Sequence, residues 1–128
     1  TYMKKIIRYL LLLILMIVVV RVYVYFLTKT NYQDMNNYEI TVQTPEIVVT
    51  ESKVAKNKGY IKGNITNNSS EMIKNLKVKF EFYNENEKLV GIEYRNEDVL
   101  NASETIKFDI GYNYKNVEKI KISTVTEE

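Results

Sequence analysis

The hydrophobic pattern of this chain changes period once. From Ile6 to Leu27 the sequence reads IIRYLLLLILMIVVVRVYVYFL, apolar at nearly every position and interrupted by charge only at Arg8 and Arg21. Such a run has no polar face, and about 20 helical residues at 1.5 Å each cross the roughly 30 Å hydrocarbon core of a bilayer. Residues 6–27 therefore predict one transmembrane helix. From Tyr38 onward the apolar period becomes two, as expected for strands with one buried face. Leu76, Val78, Phe80 and Phe82 fall on one side of a strand and Lys77, Lys79 and Glu81 on the other. The alternation returns at Ile106, Phe108 and Ile110, and at Ile120 and Ile122. Turn-forming clusters separate these runs: Asn67-Asn68-Ser69-Ser70, Asn84-Glu85-Asn86-Glu87 and Gly111-Tyr112-Asn113. Strands are predicted near 39–43, 46–51, 58–66, 73–84, 88–95, 104–111 and 117–125, a spacing that suits a small two-sheet sandwich. Its expected core is Ile61, Ile65, Leu76, Val78, Phe80, Phe82, Val90, Ile92, Ile106, Phe108, Ile110, Ile120 and Ile122.

Charge orients the helix. Lys4, Lys5 and Arg8 crowd its N-terminal side, so the positive-inside rule keeps residues 1–5 in the cytoplasm and sends the β domain, 38–126, to the other face. Tyr23, Tyr25 and Phe26 lie where the helix would leave the bilayer, as an interfacial aromatic belt does. A cleaved signal peptide is the competing reading, but the small-x-small cleavage pattern is replaced by Arg21, Tyr23, Tyr25 and Phe26. Thr28 to Asn37 is polar without an apolar period and reads as a tether, reaching at most about 35 Å.

Composition removes much chemistry. The sequence has 0 cysteines and 0 histidines, which excludes disulfides, thiolate nucleophiles, imidazole bases and Cys or His metal ligands. All 16 acidic side chains lie beyond Thr28, whereas four of the 18 basic ones belong to the helix and its approach, so the remainder has 14 basic side chains and the domain is close to neutral. A domain without a basic stripe offers no counterion release, so nucleic acid is not an expected partner. No catalytic residue, cofactor or metal site is predicted. Glu85, Glu87, Glu97 and Asp98 could supply oxygens to calcium, but they lack an EF-hand-like pattern. Ser52, Ser69, Ser70, Ser103 and Ser123 sit in no nucleophile motif. Asparagine-rich stretches generate glycosylation sequons at Asn64, Asn67, Asn68 and Asn101, which chance accounts for.

Two features carry a functional reading. Arg21 lies about five residues inside the expected membrane exit, roughly 7.5 Å deep at 1.5 Å per residue. It either extends its stem to the headgroups or meets an acceptor on another membrane helix. Tyr83, Tyr94, Tyr112 and Tyr114 form an aromatic group that packs at a sheet rim or offers a binding surface.

The stretch Gly59-Tyr60-Ile61-Lys62-Gly63-Asn64-Ile65-Thr66-Asn67, followed by Phe80-Glu81-Phe82-Tyr83-Asn84 and Glu87-Lys88-Leu89-Val90-Gly91, resembles the FxLYD domain family. Phe82 replaces that family's leucine, Asn84 its aspartate, and Asn101-Ala102-Ser103-Glu104 its later Pro-Gly-type turn. The resemblance implies an immunoglobulin-like sandwich in a membrane-anchored envelope protein of low-GC Gram-positive bacteria, with no assigned activity. The expected whole is an all-β immunoglobulin-like two-sheet sandwich behind one N-terminal transmembrane helix, single-pass in the cell membrane. The expected function is a non-enzymatic accessory or interaction protein whose partners are the bilayer and other envelope membrane proteins, such as a transport or secretion assembly. The alternative is a module binding a cell-wall polymer or small ligand.

Overall fold

A computed structural model describes residues 2–29 and 31–125, in two units that divide after Asn31. The first is a single helix, α1 (Tyr2–Thr28), 27 residues long, with no buried residue. Leucine, isoleucine, valine and methionine surround its axis, so no side is polar enough to face water. In the last turn Thr28 Oγ1 donates to Val24 O at 2.9 Å and the Lys29 amide donates to Tyr25 O at 2.9 Å, occupying carbonyls that the helix leaves open.

The second unit is a two-sheet sandwich of eight strands: β1 (Gln33–Asp34), β2 (Tyr38–Ile40), β3 (Glu46–Val54), β4 (Gly59–Thr66), β5 (Ile73–Asn84), β6 (Leu89–Leu100), β7 (Thr105–Tyr112) and β8 (Val117–Thr124). One sheet runs β1-β3-β4-β7 and the other β2-β8-β5-β6. Neighbours are antiparallel except β2, which runs parallel to β8 with Tyr38 opposite Ile120 and Ile40 opposite Ile122. The period-two segments became strands because each has one apolar row to bury. On β4 the buried row is Gly59, Ile61, Gly63 and Ile65, and on β5 it is Leu76, Val78, Phe80 and Phe82. Their side chains meet between the sheets, with Phe80 and Phe108 ring centres 5.2 Å apart and Phe82 and Tyr112 4.3 Å apart.

Two glycines make that ring packing feasible. Gly63 pairs with Phe108 and Gly59 with Tyr112, so each ring lies over a neighbour that has no side chain. A Cβ on Gly63 would stand 2.1 Å from Val48 O and 2.5 Å from the Phe108 ring, and one on Gly59 would stand 2.3 Å from the Tyr112 hydroxyl.

Asn67 is fully buried where three segments converge. Its Nδ2 donates to Glu71 O at 2.7 Å and to Leu100 O at 3.0 Å, and its Oδ1 accepts from the Ser69 amide and hydroxyl. Its own amide donates to Glu104 O, and its carbonyl accepts from the Ser103 amide. Every polar group of this buried residue is thus engaged, as burial away from water requires.

Several expectations are corrected. The stretch 28–37 is not a simple tether: α1 runs through Thr28, Gln33 and Asp34 pair with Val54 and Lys53, and Met35 is buried in the core. The sandwich unit begins at Tyr32 instead of 38, and the expected boundary at 126 lies outside the described residues. Ile92 pairs with Glu81 on the outer face, because register places Gly91, Glu93, Arg95 and Glu97 opposite the core row of β5. Val90, Ile106 and Ile110 are half-buried against the core. Met35, Ile47, Leu100, Tyr112 and Val117 join it from outside the expected set.

Candidate functional site

The four tyrosines do not share a surface. Tyr83 and Tyr94 lie on the outer face of the β2-β8-β5-β6 sheet, whereas Tyr112 and Tyr114 belong to the interior side. Tyr112 is 2% exposed, tilted against Phe82 and stacked with Tyr114, so it cannot contribute to a surface patch. Burial pushes its hydroxyl up to about 12, and that hydroxyl donates to Lys53 O at 3.4 Å. Tyr114 is half-buried over Gly91, where an added Cβ would stand 2.1 Å from its ring. Its hydroxyl donates to Glu93 Oε1 at 2.7 Å, which holds the tyrosine above its ordinary range. Topology separates the pairs, because the chain reverses between Tyr83 and Tyr94 and again before Tyr112.

What remains on the outer face is an aromatic and charged strip. Lys77 lies 4.7 Å from the centre of the Tyr94 ring, a cation–π distance, and Tyr94 is 44% exposed. Tyr83 donates to Glu81 Oε2 at 2.5 Å, which raises its pKa, and Lys79 pairs with Glu81 at 3.6 Å. Lys119 pairs with Glu39 at 3.3 Å. The strip is suited to stacking and ion pairing. Its carboxylates face lysines or a tyrosine hydroxyl, so it does not present a paired acid and base.

The other sequence candidates separate as well. Glu85 and Glu87 sit in the β5–β6 turn, whereas Glu97 and Asp98 lie at the far end of β6, about 33 Å of strand away at 3.3 Å per residue. Among the described residues no group of three or more His, Cys, Asp or Glu could hold a metal. Ser52 is buried with an unpartnered hydroxyl, and Ser69 is bonded to Asn67, whose doubly donating amide is closed to glycosylation. Arg21 is exposed on α1, seven residues before its end. A cavity of about 300 Å³ opens where β8 stops beside β5, lined by Thr44, Pro45, Ile73, Asn75, Leu76 and Thr124.

No family model matches the chain, and no curated protein matches it in sequence. Among solved structures it is similar to a DUF1425 family member from Shewanella sp. pv-4, with a TM-score of 0.50, 13% identity, and 65% of this chain and 78% of that chain covered. At that identity the likeness shows the fold, a small β-sandwich. A beta-glucuronidase of glycoside hydrolase family 2 gives a TM-score of 0.40 at 12% identity over 64% of this chain and 11% of that one, too slight to carry an argument.

Proposed function

We propose that the chain is a membrane-anchored accessory protein, its sandwich held on the non-cytoplasmic face and acting by contact with other envelope proteins. The observation that carries this reading is the surface of α1, where every residue is exposed and an 18-residue window has a mean hydropathy of 2.8. Apolar surface of that extent is untenable in water and is what a bilayer covers. Lys4, Lys5 and Arg8 at the N-terminal end of α1 favour the outward orientation. The FxLYD resemblance supports the same address: its Phe80-Glu81-Phe82-Tyr83-Asn84 segment spans the end of β5 and the entry to the hairpin.

Alkaline carbonate extraction of membranes, followed by external protease on cells stripped of wall, tests the placement. The sandwich should stay with the membrane pellet and be digested from outside. Release by carbonate points to a cleaved signal sequence, and protection from protease reverses the orientation. Mild-detergent purification then tests the role, with stoichiometric recovery of a membrane protein expected. Co-sedimentation of the sandwich with isolated cell wall instead would favour polymer binding through Tyr94 and Lys77. Arg21→Leu sharpens the accessory reading: insertion should persist while partner recovery falls, whereas unchanged recovery leaves Arg21 as a snorkelling residue.

A further inference from the structure

The two open edges on one side of the sandwich are built differently. β6 closes its sheet with Glu93, Arg95 and Glu97 on the core-facing row, and Arg95 pairs with Glu97 at 3.1 Å. Another strand adding to that edge would have to desolvate those charges, a common protection of edge strands. β7, the edge of the other sheet, has no such guard. Its core-facing row is Ile106, Phe108, Ile110 and Tyr112, and its outward row is Thr105, Lys107, Asp109 and Gly111. Ile106 and Ile110 remain half-buried because, among the described residues, no strand lies beyond them, whereas Ile61 and Ile65 on the adjacent β4 are fully covered.

We propose that two copies of this chain associate by antiparallel pairing of β7 with β7 about a two-fold axis through Phe108. A two-fold axis normal to the sheet keeps core-facing residues opposite core-facing residues, so it must pass through a residue. Through Phe108 it sets Lys107 of each copy opposite Asp109 of the other, Ile106 opposite Ile110, and Thr105 opposite Gly111. Shifting the axis to Lys107 sets lysine against lysine, and shifting it to Asp109 sets aspartate against aspartate. Only the central register is complementary, and cross-strand charge pairs of opposite sign favour it while like pairs oppose its neighbours. Lys107 and Asp109 are both exposed, and Asp109 reaches an intramolecular cation, Lys62, only at 4.0 Å. The two-fold register gives both charges a close partner and extends the apolar row across the junction. Among the described residues nothing lies within 4 Å of where a Cβ on Gly111 would stand, so the outward face at that end of β7 is open.

Pairing of one short strand buries less than the roughly 1,200 Å² typical of stable complexes, so the association depends on concentration. The purified full chain in mild detergent is therefore tested across a concentration range by light scattering and by zero-length carbodiimide cross-linking. The wild type should give a dimer joined between Lys107 and Asp109. Lys107→Glu turns both attractive pairs into repulsive ones and should lower dimer yield roughly tenfold. Asp109→Lys should do the same, and Lys107→Glu combined with Asp109→Lys should restore it. Circular dichroism confirms that each variant remains folded. A wild type that stays monomeric to high protein concentration, or a Lys107→Glu variant that cross-links as the wild type does, overturns the proposal. A folded double variant that fails to regain the dimer does so as well.

Discussion

β5 and β6 are the two arms of one hairpin, each twelve residues long, and they use the sheet in opposite ways. β5 is flanked by β6 and β8 and buries Leu76, Val78, Phe80 and Phe82 without a gap. β6 has one neighbour, and the positions that share its partner's buried face are Gly91, Glu93, Arg95 and Glu97. Those side chains are half-buried and locally satisfied, Glu93 by Tyr114 and Glu97 by Arg95. A central strand is held by what it buries. An edge strand is held by its partner's backbone and must also keep its open side from recruiting other chains. The β6 row shows how both demands are met: charges near the sandwich rim keep access to water, while Gly91 makes room for the Tyr114 ring to close the end of the core.

Substitution along the two rows should separate them most clearly. Phe80→Ala removes a fully buried ring in contact with Phe108 and should cost about 3–5 kcal/mol in chemical denaturation. Glu93→Ala, directly opposite on β6, should cost about 1 kcal/mol or less, since it removes one hydrogen bond from Tyr114 at a half-exposed site. Equal losses would mean that β6 is as deeply held as β5. Asn67→Ala should fall next, at about 2–3 kcal/mol, because it removes the side-chain donor to Leu100 O at the end of β6 and the acceptor of the Ser69 amide, while Glu71 O keeps only the Ser69 hydroxyl. Amide exchange should then accelerate at the end of β6 before it does in the middle of β5.

Alkali addresses the aromatic cluster that closes the hairpin over the core. The Tyr112 hydroxyl is raised by burial to about 12, so the folded state favours its neutral form more than the unfolded state does. That contribution is intact below pH 10, the ordinary value, and is lost as pH rises from 10 through 12, a span of up to roughly 2–3 kcal/mol. Thermal melts between pH 9 and 12 should show the decline, and Tyr112→Phe should reduce it with little change at neutral pH. The smallest effect is expected in the connecting turn. Glu87 holds a φ of 60°, a left-handed conformation that favours glycine. Glu87→Gly should therefore raise the melting temperature, with a gain of about 0.5–1 kcal/mol.

Periodicity alone determined the apolar helix, the number and order of the long strands and the two-sheet class, because each follows from which side of a segment must avoid water. The Leu76-to-Phe82 row was legible in this way to the residue. Tertiary structure decided the features that depend on a distant partner. Gln33, Asp34 and Met35 look like tether in sequence and become part of the sandwich only because β3 offers an edge and the core has room. Ile92 continues an apolar alternation yet faces outward, since the bulge between Phe82 and Tyr83 sets the register of β6. Asn67 reads as one polar residue in a turn and is a buried junction of three segments. The tyrosines show the same limit: Tyr83 and Tyr94 share a sheet face, while Tyr112 and Tyr114 close the core. Local pattern specifies which residues alternate, but which face is inside, and what stands opposite it, is settled by pairing between strands far apart in the chain.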